Sequence, residues 1–234
     1  MVTVKYNENN KKYSVNSQFF LNWSSDMAYI LGFIYADGNL SKDKYRVRIS
    51  SIDVEILQEI SDVIESDRPI VKEQNTLGSW YTMIIDNREI YQTLESIGLT
   101  PNKSLNCEVP VVPIEFKFDF IRGYFDGDGC VYAKTHKDST IPTLSIDIAT
   151  GSNKFKDGLI ELMSDVFDEK HGCSVQVRKN GLNILRMNTT VSERLYCKMY
   201  SKPCLHLKRK KEKFDEILKA REKRKKRRSD SHKI

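Results

Sequence analysis

Ala28-Tyr29-Ile30-Leu31-Gly32-Phe33-Ile34-Tyr35-Ala36-Asp37-Gly38 decides the fold, because the chain contains this stretch twice. The second copy is Phe120-Ile121-Arg122-Gly123-Tyr124-Phe125-Asp126-Gly127-Asp128-Gly129. Both are apolar-aromatic runs with an internal Gly, and both end in Asp-Gly. Wound as a helix, residues four apart share a face. Ala28, Gly32 and Ala36 then make a stripe with almost no side chain, and Gly123 and Gly127 do the same. Two such stripes let helix backbones approach closer than the usual 8–10 Å or so. Asp37 and Asp128 each sit one step past their stripe, so pairing the helices through these faces brings the two carboxylates side by side.

That arrangement is costly. Each Asp lies at a helix C-terminus, where the macrodipole disfavours negative charge, and two close carboxylates repel each other. Hard oxygen ligands with surplus negative charge suit a divalent cation, Mg²⁺ above all, which keeps its waters and accepts phosphate oxygens. Asp37, Asp128 and the neighbouring Ala36 and Gly127 are the expected metal ligands, with Mn²⁺ or Ca²⁺ substituting for binding. A single copy of this pattern reads equally as an amphipathic helix ending in a turn; two copies with one layout point to a site.

At these residues the sequence resembles the LAGLIDADG homing endonucleases. The match is Leu31-Gly32-Phe33-Ile34-Tyr35-Ala36-Asp37-Gly38 and Ile121-Arg122-Gly123-Tyr124-Phe125-Asp126-Gly127-Asp128-Gly129. The second copy is the closer one. The first has Tyr35 where the family often has Asp, a position that is not the metal ligand. The resemblance runs from about Ser24 to the basic tail. It implies an α+β (α/β) fold of the two-repeat, single-chain form: two pseudo-symmetric αββαββα halves, with saddle-shaped antiparallel sheets under helices and the two motif helices at the centre. It also implies cleavage across the minor groove of a long target with short 3′ overhangs, and a lysine before the Pro-containing linker as a catalytic-site base or charge stabiliser. Lys103 matches that position. Asn102-Lys103 aligns with Arg209-Lys210, which makes Lys210 the expected symmetry mate, with Lys208 as the alternative. The family's usual Gln or Lys near the end of the second strand is absent; Ser51 and Ile52 stand there.

Composition is compatible with this. The 234 residues are 39% hydrophobic and 30% charged, enough for a sizeable core. No apolar run approaches a membrane span, and Met1–Tyr6 does not read as a signal peptide. Cys107, Cys130, Cys173, Cys197 and Cys204 form no CxxC pair, and their odd number argues for buried thiols in a reducing, intracellular compartment. Four scattered His give no zinc spacing. The net charge of +6 is unevenly placed: residues 208–228 carry thirteen Lys or Arg against four acids, so the body is slightly acidic. A basic tail on such a body points to a polyanion.

The expected organisation is an arm (1–23), a first repeat (24–100), a linker (101–115), a second repeat (116–207) and a basic tail (208–234). In the arm, Phe19, Phe20 and Trp23 are candidates to dock. After Gly38, alternation over residues 42–50 predicts one strand with Lys42, Lys44, Arg46, Arg48 and Ser50 on one face and Tyr45, Val47 and Ile49 on the other. Four cations in a row suit phosphates and base edges. Residues 53–64 read as an amphipathic helix capped by Asp53. Hairpins are expected around Thr76-Leu77-Gly78 and Asn180-Gly181, with Lys72 and Gln74 continuing the polar face. The second half repeats the plan: strands over 129–137 and 143–150, with Lys134 and His136 on one face, and a helix over 153–170. Ser174, Gln176 and Arg178 share one face of the next strand. The DNA-contact candidates are therefore Lys42, Lys44, Arg46, Arg48, Lys72, Gln74, Lys134, His136, Gln176, Arg178, Arg186 and Lys208; Ala28, Gly32 and Gly123 are the helix interface.

The functional expectation is a Mg²⁺-dependent, site-specific double-strand DNA endonuclease, freestanding or intron-encoded, acting as a monomer on an asymmetric duplex, with Asp37, Asp128, Lys103 and Lys210 as catalytic residues. Intron RNA is the second candidate partner: an RNA maturase on the same scaffold, or a non-cutting DNA-binding regulator, are the alternatives. Intact Asp37 and Asp128 speak against both as sole roles. No membrane or obligate protein partner is expected.

Overall fold

Ser24 starts the first motif helix: its Oγ accepts the Met27 N–H at 3.0 Å, a side-chain cap on a backbone donor that has no partner inside the helix. The computed structural model describes residues 13–101, 103–135 and 141–231. From that cap the first half runs α1 (Ser25–Asp37), β1 (Gly38–Ser41), β2 (Arg46–Ser51), α2 (Val54–Val63), β3 (Val71–Asn75), β4 (Gly78–Asp86) and α3 (Arg88–Ser96). The second half runs α4 (Lys117–Asp128), β5 (Gly129–Lys134), β6 (Thr143–Thr150), α5 (Asn153–Leu162), β7 (Cys173–Val177), β8 (Asn183–Met187) and α6 (Thr189–Met199), followed by α7 (Lys208–Ser231). The expected αββαββα order occurs twice. Each half carries a four-stranded antiparallel sheet, ordered β1-β2-β4-β3 and β5-β6-β8-β7.

Period-2 patterning decides which sheet face is covered. Val47, Ile49, Met83 and Ile85 are cross-strand partners on one face of the first sheet and are buried. Ile146, Ile148, Leu185 and Met187 are their counterparts in the second. These faces and the helices enclose one continuous core around α1 and α4. Asn87, Ser152 and Asn188 cap α3, α5 and α6 as Ser24 caps α1, each accepting a backbone N–H three residues on. In the arm, Phe20 is buried and Trp23 stacks on Phe116 with centroids 6.5 Å apart.

Arg122 is buried to 1% exposure, yet no polar debt is left on its Nε and Nη1. Nε donates to the Leu205 carbonyl at 2.8 Å and Nη1 to the Met199 carbonyl at 2.7 Å, and the guanidinium pairs with Asp119 at 2.8 Å. It ties α4 to the end of α6 and to the segment leading into α7.

Several expectations need correction. Residues 42–44 form a short 3-10 turn closed by Tyr45 in the left-handed region (φ 45°), so Lys42 and Lys44 are off the strand and only Arg46 and Arg48 line it. Register overturns another: Lys72 pairs with Tyr81 and Gln74 with Ser79, while Arg46 and Arg48 pair with Asp86 and Ile84. Even and odd positions of β4 face opposite ways, so Lys72 and Gln74 lie on the opposite face from the arginines. The helix expected over 153–170 stops at Leu162. Beyond a 3-10 turn at Ser164–Val166, Asp168 Oδ1 accepts the N–H groups of Lys170 and His171, the kind of local competition that ends helices. Asp53 stands at the N-cap position just before α2, but its side chain makes no cap bond; its carboxylate takes Arg209 Nε at 2.8 Å instead. β5 ends at Lys134, and His136 lies outside the described residues. Of the five thiols only Cys107 is buried, and Cys130 and Cys197 are exposed. The basic segment forms a long helix whose first turns bury Phe214 and Ile217. Among the described residues no helix is long and apolar enough to cross a membrane.

Candidate active site

Helices α1 and α4 run side by side in the same direction and touch through backbone. A Cβ on Gly32 would lie 2.9 Å from the Tyr124 nitrogen and closer still to the Phe120 carbonyl oxygen. One on Gly123 would lie 2.9 Å from the Phe33 nitrogen and closer still to the Tyr29 oxygen. Ala36 faces Gly127 across the same seam, and Ala28 is fully buried. At the N-terminal end, Ser25 Oγ donates to Asp119 Oδ1 at 2.7 Å.

The seam delivers the two carboxylates to one place. A Cβ on Gly127 would meet Asp37 Oδ2 at 3.2 Å, one residue from Asp128. Both side chains reach solvent yet are hemmed in by protein on their other sides. Burial pushes the Asp37 carboxyl up to about 6, and the Asp128 charge adds to it; Lys210, Lys103 and Arg209 pull the other way. Burial likewise raises Asp128, against Lys103, the Tyr124 hydroxyl and Lys210. The charged carboxylates are therefore poorly solvated, and Asp37 also feels the charge of Asp128, a cost that a divalent cation relieves. The donor set is two carboxylates and backbone carbonyls; no group of three acidic, His or Cys side chains is gathered among the described residues.

Lys103 and Lys210 take equivalent places at the ends of the two motif helices. Lys103 Nζ donates to Gly38 O at 2.6 Å and Ala36 O at 3.3 Å. Lys210 Nζ donates to Phe125 O at 2.8 Å, Asp126 O at 2.6 Å and Gly127 O at 3.2 Å. Each cation binds carbonyls at the C-terminal end of its motif helix and opposes the macrodipole there. Lys208 stands elsewhere, donating to Glu55 at 2.9 Å on α2. The electrostatics run crosswise. Lys103, capping α1, is the first cation to act on Asp128 of α4, and Lys210, capping α4, is the first to act on Asp37 of α1. Burial lowers both lysines, Lys210 to about 8.

Asp126 is a further residue of the site that the motif alone does not reveal. Its Oδ2 accepts the Tyr29 hydroxyl at 2.8 Å and the Leu207 N–H at 2.7 Å, which pins the residue before α7 and so sets where Lys210 begins. Burial pushes its carboxyl up to about 6. The position corresponds to Tyr35 in the first half, so the two halves hold their lysines by different means. The available signal was the Asp126/Tyr35 difference between the motif copies.

On the sheet faces turned from the helices, the nucleic-acid candidates are engaged with acids. Arg46 forms two bonds to Asp86, at 2.5 and 2.7 Å, and Arg68 reaches the same carboxylate at 2.5 Å. Arg48 lies 3.8 Å from Glu73. Arg186 forms two bonds to Asp147, at 2.8 and 2.6 Å. Lys134 and Gln176 share that face of the second sheet with Arg186, and Arg178 follows just beyond β7.

A family model described as a LAGLIDADG-like domain matches residues 24–98 and 115–195. No curated protein sequence matches the chain. Among solved structures, the homing endonuclease I-WcaI bound to its DNA recognition sequence is similar with a TM-score of 0.58 at 14% identity, over 90% of this chain and 95% of that one. I-DmoI in complex with DNA and Ca gives 0.53 at 16% identity, over 76% and 90%. The N-terminal LAGLIDADG domain of DUF199/WhiA gives 0.53 at 13% identity, over 86% and 92%. At such identities the likeness establishes the fold alone.

Proposed function

We propose, for a chain that belongs to the LAGLIDADG-like domain family, the activity of a site-specific, metal-dependent endonuclease cutting both strands of duplex DNA. The observation that carries this reading is the pair Asp37 and Asp128, brought together by a backbone-to-backbone seam, hemmed in by protein, and each faced by the lysine of the other helix. Asp37 and Asp128, with the Ala36 and Gly127 carbonyls, are the groups that would hold Mg²⁺; the complex of I-DmoI with DNA and Ca supports a divalent ion in such a fold. When bound, Mg²⁺ supplies Lewis-acid polarisation of phosphate oxygens and acidifies water. The chain's own groups orient and neutralise: Lys103 and Lys210 place one cation beside each carboxylate, an arrangement suited to two scissile phosphates on opposite strands.

The lysines differ in what they can do. Lys210 gives all three of its protons to three carbonyls, which requires the ammonium form. It is a fixed cation and not a base. Cleavage is therefore expected to fall as pH rises through about 8, where Lys210 loses its proton, and Lys210→Met is expected to lose about 10²-fold in rate and to flatten that alkaline limb. A wild-type rate that climbs through the same range would make Lys210 the base instead. Lys103 donates to two carbonyls, which leaves one proton for a water or phosphate oxygen.

The two open faces carry different side chains, Arg46 and Arg48 against Lys134, Gln176 and Arg186, so the target is asymmetric. Arg46→Ala is expected to weaken binding to the selected target by about 1–3 kcal/mol and binding to random duplex by less; equal losses in a competition assay would reduce Arg46 to a phosphate contact. The reading as a whole is tested by incubating the protein with Mg²⁺ and a library of duplex sites. Recovered double-strand breaks support it, and binding without breaks leaves the regulator or maturase.

A further inference from the structure

Helix α7 has an inward and an outward stripe. Phe214, Ile217 and Arg221 recur at helical spacing and are buried. Arg221 holds the body through the Pro142 carbonyl and through Glu193 at 3.0 Å. On the opposite side, Glu212, Glu216, Lys219, Lys223, Lys226 and Arg227 are all exposed. Along that stripe the acids Glu212 and Glu216 give way to Lys219 and then, past Arg221, to cations alone. The macrodipole favours this order but acts only over the first and last turns, whereas the cations begin at Lys219. From Lys223 to Arg227 every residue is a Lys or Arg. Like charges at this spacing weaken a free helix, so the segment carries an electrostatic cost that a polyanion would remove.

We infer that the part of α7 beyond Arg221 is a sequence-independent contact for the phosphate backbone of duplex DNA flanking the site gripped by the two sheets. No apolar side chain accompanies these cations, so the segment lacks the anchor that a membrane surface or a protein hot spot uses; regularly spaced phosphates need none. Its position fits as well. Arg221 is fastened to Pro142, the neighbour of Thr143, which is the cross-strand partner of Lys134 on the open face of the second sheet. The basic segment thus leaves the body at the rim of that face. Cations directed all round a helix read no base edges, so they lengthen the footprint without adding sequence information.

The inference rests on the proposed DNA partner, and one titration separates the two. Binding of the full-length protein to a random-sequence duplex of about 40 base pairs is followed by anisotropy in Ca²⁺ over a range of KCl concentrations, for wild type and for the triple variant Lys223→Gln, Lys226→Gln, Arg227→Gln. Gln keeps helix propensity, and circular dichroism checks that helix content is unchanged. The slope of log affinity against log salt is expected to fall by about 2–3 and affinity at physiological salt by at least about tenfold. Wild-type binding with an unchanged slope in the variant overturns the inference and leaves the DNA reading standing. Absence of duplex binding by wild type overturns both. Variant-sensitive binding to phosphatidylserine vesicles without a change on DNA assigns the segment to a lipid surface and also overturns the inference.

Discussion

Asp37→Asn and Asp128→Asn, each alone, are expected to lower Mg²⁺-dependent cleavage by about a thousandfold or more while raising the thermal stability of the metal-free protein at pH 8. The first effect follows from the charge: a ligand supporting several kcal/mol of transition-state stabilisation converts at about 1.4 kcal/mol per factor of ten. The second follows from burial. With the lysines already acting on it, the Asp37 carboxyl still lies at about 6, above its ordinary range. The folded environment therefore disfavours the charged form, and a neutral amide escapes that cost. The same shift fixes the pH dependence. Because the folded state holds this proton more tightly than the unfolded chain does, its stabilising contribution is complete only below the ordinary carboxyl range and is lost as pH rises through about 6. Acidification from pH 7 towards 4 should thus favour metal-free wild type relative to Asp37→Asn, while it weakens Mg²⁺ binding by proton competition. Millimolar Mg²⁺ should then raise the wild-type midpoint and leave the double Asn variant unmoved, since only a ligand bound to the native state stabilises it. Cleavage at wild-type rates by either single variant, or equal Mg²⁺ shifts in both proteins, would dispose of the carboxylate pair as the metal site.

What could be read from the sequence was what repeats. Two runs ending in Asp-Gly, each with small residues at helical spacing, place α1 against α4, and the family resemblance that they carry implies the order of the elements in both halves. What could not be read depended on partners distant in the chain. Alternation over residues 42–50 is the same whether the segment is one strand or a turn feeding a strand, and only the left-handed Tyr45 decides it. Lys72 and Gln74 change face with the register of β3 on β4, which the local sequence does not specify. Asp126 became a buried anchor because the Leu207 amide arrives from 81 residues away. In α7 the run of charges masked Phe214 and Ile217, whose spacing marks a packed helix. Lys210 is legible only by analogy between the two halves; the three carbonyls that it caps lie at the end of α4, more than 80 residues earlier in the chain.

Gly32→Ala and Gly123→Ala are expected to destabilise the protein by about 4 kcal/mol or more, at the far end of what single substitutions do. Local propensity alone argues the reverse, since alanine is favoured over glycine inside a helix by about 1 kcal/mol. Packing decides the sign. The new methyl group at either position would fall within 3.0 Å of backbone atoms of the facing helix, which no rotamer change can move aside. The helices must part, and contacts along α1 and α4 that are each worth about 0.1–0.2 kcal/mol loosen together. Gly172→Ala is the control: nothing lies within 4 Å of its Cβ position, and it should stay within about 0.5 kcal/mol of wild type. Urea unfolding measures all three. The seam also sets the distance between Asp37 and Asp128, so any Gly32→Ala protein that still folds should lose the Mg²⁺-induced rise in midpoint before it loses helix content. A Gly32→Ala protein as stable as wild type, with its Mg²⁺ response intact, would mean that the helices do not meet through this face, and the shared site would lose the geometry that creates it.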